Sequence, residues 1–323
     1  MQTKSSLVSI VMVAVTVTVG AAVAQDFPAR AVRFMVPFAA GGGVDVIARL
    51  LAPPMNRSLG QPVVVENRPG ANTVLGAELV MRAPADGHTV FMIAPSFTIN
   101  PLVRSDMPYD TLKDFSGVTR LASTPFAFAV HPSVPAKSLK EFVAFARSRP
   151  GQMTFATASV LGSNRLVGEL FKNAVGIDIV NVAYNSGAPA TTSVIGGHNP
   201  VLVASGPEVS AAISSGRLRG LAVTSTNRFE LLPNVPTVSE SGYPGFEVLN
   251  WFGAVVRSAT PRPVVDRLNA EIIRAMQLPE INNILTKQGL TPGMISPQEF
   301  DAFLRAEMQR YEPIVKKLKV KME

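Results

Sequence analysis

Short apolar runs and amphipathic segments alternate without a break from Val32 to Ile93, and this alternation restricts the fold more than any other feature. Residues 32–37 have the pattern of a buried strand. Residues 45–52 place Val46, Ile47, Leu50 and Leu51 on one helical face. A strand over 63–65, a helix over 75–82 and a strand over 89–93 follow. A β-α-β-α-β order needs crossovers, and these give a parallel sheet covered by helices. Pro53-Pro54 predicts a stop or kink in the first helix, because two backbone donors are missing.

A second alternating unit begins with a strand over 126–130 and a helix over 138–148, opened by the capping box Ser138-x-x-Glu141. A strand over 153–156 leads into a helix over 163–174, with Leu166, Val167, Leu170, Phe171 and Ala174 on one face. Strands over 179–182, 201–204 and 218–224 come next, then helices over 263–276, 279–288 and 297–317. A chain of 323 residues suits two lobes at roughly 150 residues per domain. No repeat of solenoid or propeller period is visible.

The N-terminus reads as an address. Lys4 precedes an apolar run over 7–19, broken only by Ser9, Thr16 and Thr18, and Ala22-x-Ala24 predicts cleavage after Ala24. The run is shorter than the roughly 20 apolar residues of a membrane span. The expected product is a soluble, exported protein. With 47% hydrophobic and 16% charged residues, disorder is excluded. The absence of cysteine excludes disulfides, thiolate metal sites and cysteine nucleophiles. The net charge of +7 is scattered, apart from a lysine cluster over 316–321 that reads as a solvated helix end. No nucleic-acid partner, metal or cofactor is expected.

Two loops carry the chemistry. Phe38, Ala39, Ala40, Gly41, Gly42 and Gly43 join the first strand to a helix, with Asp45 expected as its N-cap. Glycines there let backbone N–H groups turn toward a carboxylate or phosphate, through close approach or a positive φ. The dinucleotide fingerprint fails at Val46, and no P-loop is present. The second loop spans Ser159, Gly162, Ser163 and Arg165. A cation in a first helical turn opposes the macrodipole, so Arg165 needs a negative partner: a ligand carboxylate or Glu169. No G-x-S-x-G or H-E-x-x-H occurs, and His88, His131 and His198 lie far apart, so no catalytic residue is assigned.

Several segments together resemble one family. These are residues 37–45, the Glu66-Asn67-Arg68-Pro69-Gly70-Ala71 stretch with its preceding strand, and Ala85-Asp86-Gly87-His88-Thr89. Tyr109-Asp110 with Lys113-Asp114-Phe115, Gly168-Glu169-Leu170-Phe171-Lys172, residues 218–224, residues 235–242 and Trp251-Phe252-Gly253 continue the likeness over the whole mature chain. The sequence resembles the extracytoplasmic receptors of tripartite tricarboxylate transporters, the Bordetella-uptake (Bug) type. That resemblance implies an α/β, two-lobed periplasmic-binding-protein fold of the Venus-flytrap, type II-like kind, with crossing hinge strands. The lobes are expected at 25–124 with 246–323, and at 125–245, after a leader over 1–24. It further implies a monomer that binds a small organic acid and meets membrane permease subunits. A sensing receptor coupled to a sensor kinase, or an exported enzyme, is the alternative. Both loops map onto the family's carboxylate grip, and Ser96 and Tyr184 complete the candidate contacts. The second loop departs from the family's polar pattern through Val160, Leu161 and Arg165, which favours an aromatic or aliphatic acid over a citrate-like one.

Overall fold

The computed structural model describes residues 27–158 and 162–318. The predicted leader, Ser159, Val160 and Leu161 of the second loop, and the end of the lysine cluster lie outside the described residues.

The chain runs β1 (Val32–Val36), α1 (Gly43–Leu59), β2 (Val63–Asn67), α2 (Val74–Arg82), β3 (Thr89–Ile93), α3 (Ser96–Val103) and β4 (Phe115–Val130). Then come α4 (Leu139–Arg147), β5 (Thr154–Thr157), α5 (Ser163–Val175), β6 (Val180–Ala183), α6 (Gly187–Ile195), β7 (Val201–Ser205), α7 (Gly206–Ser214) and β8 (Arg219–Val223). The last elements are β9 (Leu249–Arg257), α8 (Arg262–Met276), α9 (Pro279–Lys287), β10 (Thr291–Pro292) and α10 (Pro297–Leu318).

The strand path β2-β1-β3-β9-β4-β7-β5-β6 passes through one shared strand. Residues 115–125 of β4 pair with β9, and 122–123 also with β10. From Phe126 onward β4 pairs instead with β7 and β8. The two halves therefore meet along the length of β4, not side by side. The chain crosses back near Val248, whose N–H donates to the Thr224 carbonyl just before β9 begins (3.0 Å). In each half the strands away from the hinge are parallel: β2-β1-β3 in one, β6-β5-β7 in the other.

Apolar clusters cover both faces of each half. Ile47, Leu51 and Met55 of α1 pack with Phe34, Leu268 and Ile272 on one face of the first sheet, and Phe91, Trp251 and Phe300 fill the other. Phe128, Phe155 and Phe171 lie on one face of the second sheet, and Ala156, Val194 and Val209 on the other. Helix α10 belongs to both halves: Phe300 and Leu304 pack with Trp251, while Tyr311, Ile314 and Val315 pack with Phe128.

Two expectations change. Helix α1 continues through Pro53-Pro54 to Leu59. Pro53 is exposed, so part of the lost bonding faces water, while Met55 and Leu59 are buried and hold the second half in place. Strand β4 begins eleven residues earlier than expected, because partners on both edges satisfy a polar, proline-containing stretch that has no strand pattern of its own.

Candidate functional site

Strand register places the loops. β1, β2 and β3 run parallel to β4, and β3 ends at Ile93, level through Gly253 with Arg120 of β4. β7 runs antiparallel to β4 and ends at Ser205, opposite Phe126. The carboxyl ends of both parallel sets therefore point toward one hinge segment from opposite sides. Between them lies Arg120 to Phe126, about 20 Å of extended chain. Open α/β sheets bind ligands in the crevice beyond such strand ends.

Six helices start from these ends, α1, α2 and α3 in one half and α5, α6 and α7 in the other. Among the described residues none has a side-chain hydrogen bond at its N-cap. Of the helices that begin elsewhere, α4 and α10 are capped: Ser138 accepts the Glu141 N–H at the start of α4, and Ser296 accepts the Glu299 N–H at the start of α10. α8 and α9 carry proline in the first turn and, like α7 with its Pro207, have no side-chain cap. The free N–H groups and the macrodipoles of the six give the crevice a positive field without a basic side chain.

In the first loop Phe38 is half-buried, while Ala39, Ala40, Gly41, Gly42 and Gly43 are exposed. Only Gly41 has a positive φ, of 86°. Gly43 is a glycine for another reason, since a Cβ there would lie 3.0 Å from the Phe252 ring. The N-cap of α1 is Gly42, with φ −73° and ψ 163°, which corrects the assignment of Asp45 to that role. Asp45 sits three residues on and reaches back to accept the Gly41 N–H at 2.9 Å. Arg49 Nε donates to both of its oxygens, at 3.1 and 3.0 Å, and Asn67 Nδ2 donates at 2.9 Å. Burial pushes the Asp45 carboxyl up, but Arg49, the Gly41 N–H and Asn67 together hold it below its ordinary value. Asn67 also donates to the Phe38 carbonyl at 3.1 Å, so Asp45 and Asn67 shape the loop, within which the Gly42 N–H makes only a long contact of 3.5 Å to the Ala39 carbonyl. Asn67 and Arg49 were not singled out from sequence; the position of Asn67 within the family-like Glu66-Asn67-Arg68 segment was the available signal.

In the second loop Gly162 caps α5 with φ −74° and ψ 165°. Ser163 and Arg165 are half-buried in the first turn, and Asn164 donates to the Val203 carbonyl at 3.2 Å, fastening α5 to β7. The Glu169 carboxylate meets Lys172 Nζ at 3.1 Å, so the pair considered for Arg165 is not the one that Glu169 forms. Gly168 lets the helix pack on Phe155, whose ring would lie 2.4 Å from a Cβ there.

Ser96 opens α3 at the end of β3, and its buried Oγ has no hydrogen-bond partner among the described residues. Tyr184 uses its hydroxyl within its own half: it donates to Ser193 Oγ at 2.6 Å and accepts from Asn199 Nδ2 at 2.7 Å. Glu208 escaped the sequence reading, although Ser205-x-x-Glu208 repeats the capping-box spacing. Its Oε1 occupies the space beside Gly187, 1.3 Å from where a Cβ would stand, which explains that glycine. Burial pushes the Glu208 carboxyl up against the opposing Ser205 N–H. The histidines stay apart from the crevice loops: His88 packs on Phe27, and His131 meets Ser133 at 2.7 Å. No group of described His, Asp and Glu side chains could hold a metal, and no described helix is long and apolar enough to cross a membrane.

The family model of the tripartite tricarboxylate transporter family receptor matches residues 47–320. Protein BugT of Bordetella pertussis is 33% identical over 302 residues, 93% of each chain. An R. palustris protein solved with adipate aligns with a TM-score of 0.76 at 31% identity, covering 92% of this chain and 99% of that one. MatC from Rhodopseudomonas palustris with bound malate aligns with a TM-score of 0.73 at 29% identity, covering 90% and 100%. Two α/β halves sharing a long hinge strand, matched nearly end to end by these relatives, make the chain a member of the tripartite tricarboxylate transporter receptor family, the Bug-type periplasmic solute-binding proteins.

Proposed function

We propose that the protein binds a small organic acid in the crevice between its lobes and hands it to the permease subunits of a tripartite tricarboxylate-type transporter. The lobes are residues 25–124 with 246–323, and residues 125–245. The protein works in the periplasm as a monomer after losing residues 1–24, and as a receptor, not an enzyme. One observation carries the reading: the parallel strands of both halves aim their carboxyl ends at one hinge segment from opposite sides, so six helix N-termini without side-chain caps start from facing strand ends. First-turn amides and aligned helix dipoles suit a carboxylate, and the relatives solved with adipate and malate bind that class of ligand. The contacts we assign are the amides of Gly42 and Gly43, held in place by the Gly41 turn, the start of α5 with Ser163 and Arg165, and the Ser96 hydroxyl.

Calorimetry and thermal shift against mono-, di- and tricarboxylates, beginning with adipate and malate, test this. A ligand at 100 times its Kd adds about 2.7 kcal/mol of stability. At least one acid should bind with its primary-amide analogue silent. Equal binding of the amide, or conversion of the acid during incubation, would overturn the reading.

A further inference from the structure

A cavity of about 400 Å³ lies at the hinge, lined by none of the crevice-loop residues assigned above. Its walls come from both halves: Arg120 to Pro125 of β4 and the turn from α9 into β10 on one side, the segment after β8 and Glu247 on the other. The volume is in the range of small-molecule sites.

Its polar groups are incompletely used. Thr124 is 2% exposed, and its Oγ1 has no hydrogen-bond partner among the described residues. The buried Nε of Arg120 has none either. The guanidinium lies over the Phe303 ring, 5.4 Å from its centroid. Two carboxylates, Glu247 and Glu307, are near enough for their charge to be felt at Arg120, but neither bonds to it, and Glu307 is taken by Trp251 Nε1 and Arg310, both at 3.0 Å. Glu247 lines the same cavity, yet among the described residues it forms no ion pair with Arg120 or any other cation. A half-buried guanidinium and an orphan hydroxyl are costly unless something fills their bonding capacity. Arg228, the other cation in the lining, is already paired with Glu240 at 3.0 Å.

We propose that this hinge cavity is a second binding site for a small zwitterionic amino-carboxylate, its carboxylate on Arg120 and Thr124 and its ammonium on Glu247. A guanidinium and a carboxylate that share a cavity without pairing match a ligand bearing the complementary two charges. A plain carboxylate would leave Glu247 unmet and facing it. Because the walls belong to both halves, an occupant also braces the angle between them, and its binding is linked to closure on the crevice ligand.

The test is calorimetry on the full chain with glycine, β-alanine, γ-aminobutyrate and ε-aminocaproate, with acetate as the singly charged control. The emission of Trp251, the single tryptophan of the chain, serves as a second readout. At least one zwitterion should bind one-to-one and more tightly than acetate. Its affinity should fall about tenfold or more in Arg120→Met and in Glu247→Gln, and stay within about twofold in the crevice variant Gly42→Val. If Arg120→Met does not fold, Thr124→Val carries the carboxylate arm. Three results would overturn the proposal: no zwitterion binds, acetate binds equally well, or binding survives the hinge variants and is lost in Gly42→Val. The last would assign the zwitterion to the crevice and leave the carboxylate reading of the crevice to its own test.

Discussion

Two strand–loop–helix units face each other across the hinge, and their helices begin almost identically. Gly42 has φ −73° and ψ 163°, Gly162 has φ −74° and ψ 165°, and neither start has a side-chain cap. They part at the third helical residue, which is Asp45 in one and Arg165 in the other. Asp45 spends its charge internally, on the Gly41 N–H, Arg49 and Asn67. Arg165 adds positive charge where the helix dipole is already positive. On the proposed reading the same backbone start serves two ends: the first unit is a shaped cradle whose acidic charge is neutralised internally, and the second brings a cation to the acid.

The largest effect expected is on the cradle. Gly42→Val should leave a folded protein, because φ is negative and a Cβ meets only the Ala39 carbonyl, at 3.5 Å. The strain that a positive φ would bring belongs to Gly41 alone within this loop. The branched side chain would stand over the amides, and losing two charge-assisted bonds of about 1.5 kcal/mol each costs about a hundredfold in Kd. Affinity near wild type for the best carboxylate of the panel would remove the first unit from the site.

The charged unit comes next. Arg165→Gln should weaken the same acid by about 1.5–3 kcal/mol, tenfold or more in Kd. Glu169→Gln, which breaks the pair with Lys172, should leave Kd unchanged and shift stability by under about 1 kcal/mol. Equal effects of both variants on Kd would mean that the two units do not divide shape and charge.

Asp45→Asn tests whether the first unit is neutralised internally. The variant should lose about 1.5–3 kcal/mol of stability at neutral pH, as expected for hydrogen bonds to a buried charge. The folded carboxyl titrates below its ordinary value, so its contribution is full above about pH 4 and is lost as pH falls through the lower folded value. The melting temperatures of wild type and variant should therefore converge as the pH is lowered below the ordinary carboxylate range. A constant gap across the acid range would show that Asp45 acts through packing.

Legibility followed local chemistry. Apolar period exposed β1, β3, α5 and the C-terminal helices within a residue or two, because burial on one face writes itself into spacing. β9 and the first part of β4 were missed, since their pairing is set by distant partners such as Arg257 with Phe115. In the crevice, the glycine loop and the cation Arg165 could be read from strand–glycine–helix order. Asp45 lies three positions beyond the N-cap role expected of it, because an acid in a first turn can cap from the N-cap or reach back from inside, and only φ and ψ at Gly42 separate the two. Tyr184 looked like a ligand contact, but its hydroxyl is committed to Ser193 and Asn199, which no local pattern reveals.

The smallest effect expected is the most specific to the comparison. If the helix starts at the crevice are uncapped so that a ligand can use them, then supplying a cap should help the fold and harm binding. Gly42→Ser suits this, because Gly42 already has the extended φ and ψ of an N-cap and room for a Cβ. A serine hydroxyl there would accept an N–H from the first turn of α1, and serine caps exceed glycine caps by only a few tenths of a kcal/mol. The melting temperature should rise slightly while the Kd for the best carboxylate rises a few-fold, since one amide has been taken. The same exchange is expected at Gly162→Ser, where Arg165 still attracts the anion and the loss in affinity should be the smaller of the two. A cap that stabilises the protein without weakening the acid would show that these N–H groups are left to water, and the crevice would then rest on Arg165 and the hydroxyls of Ser96 and Ser163.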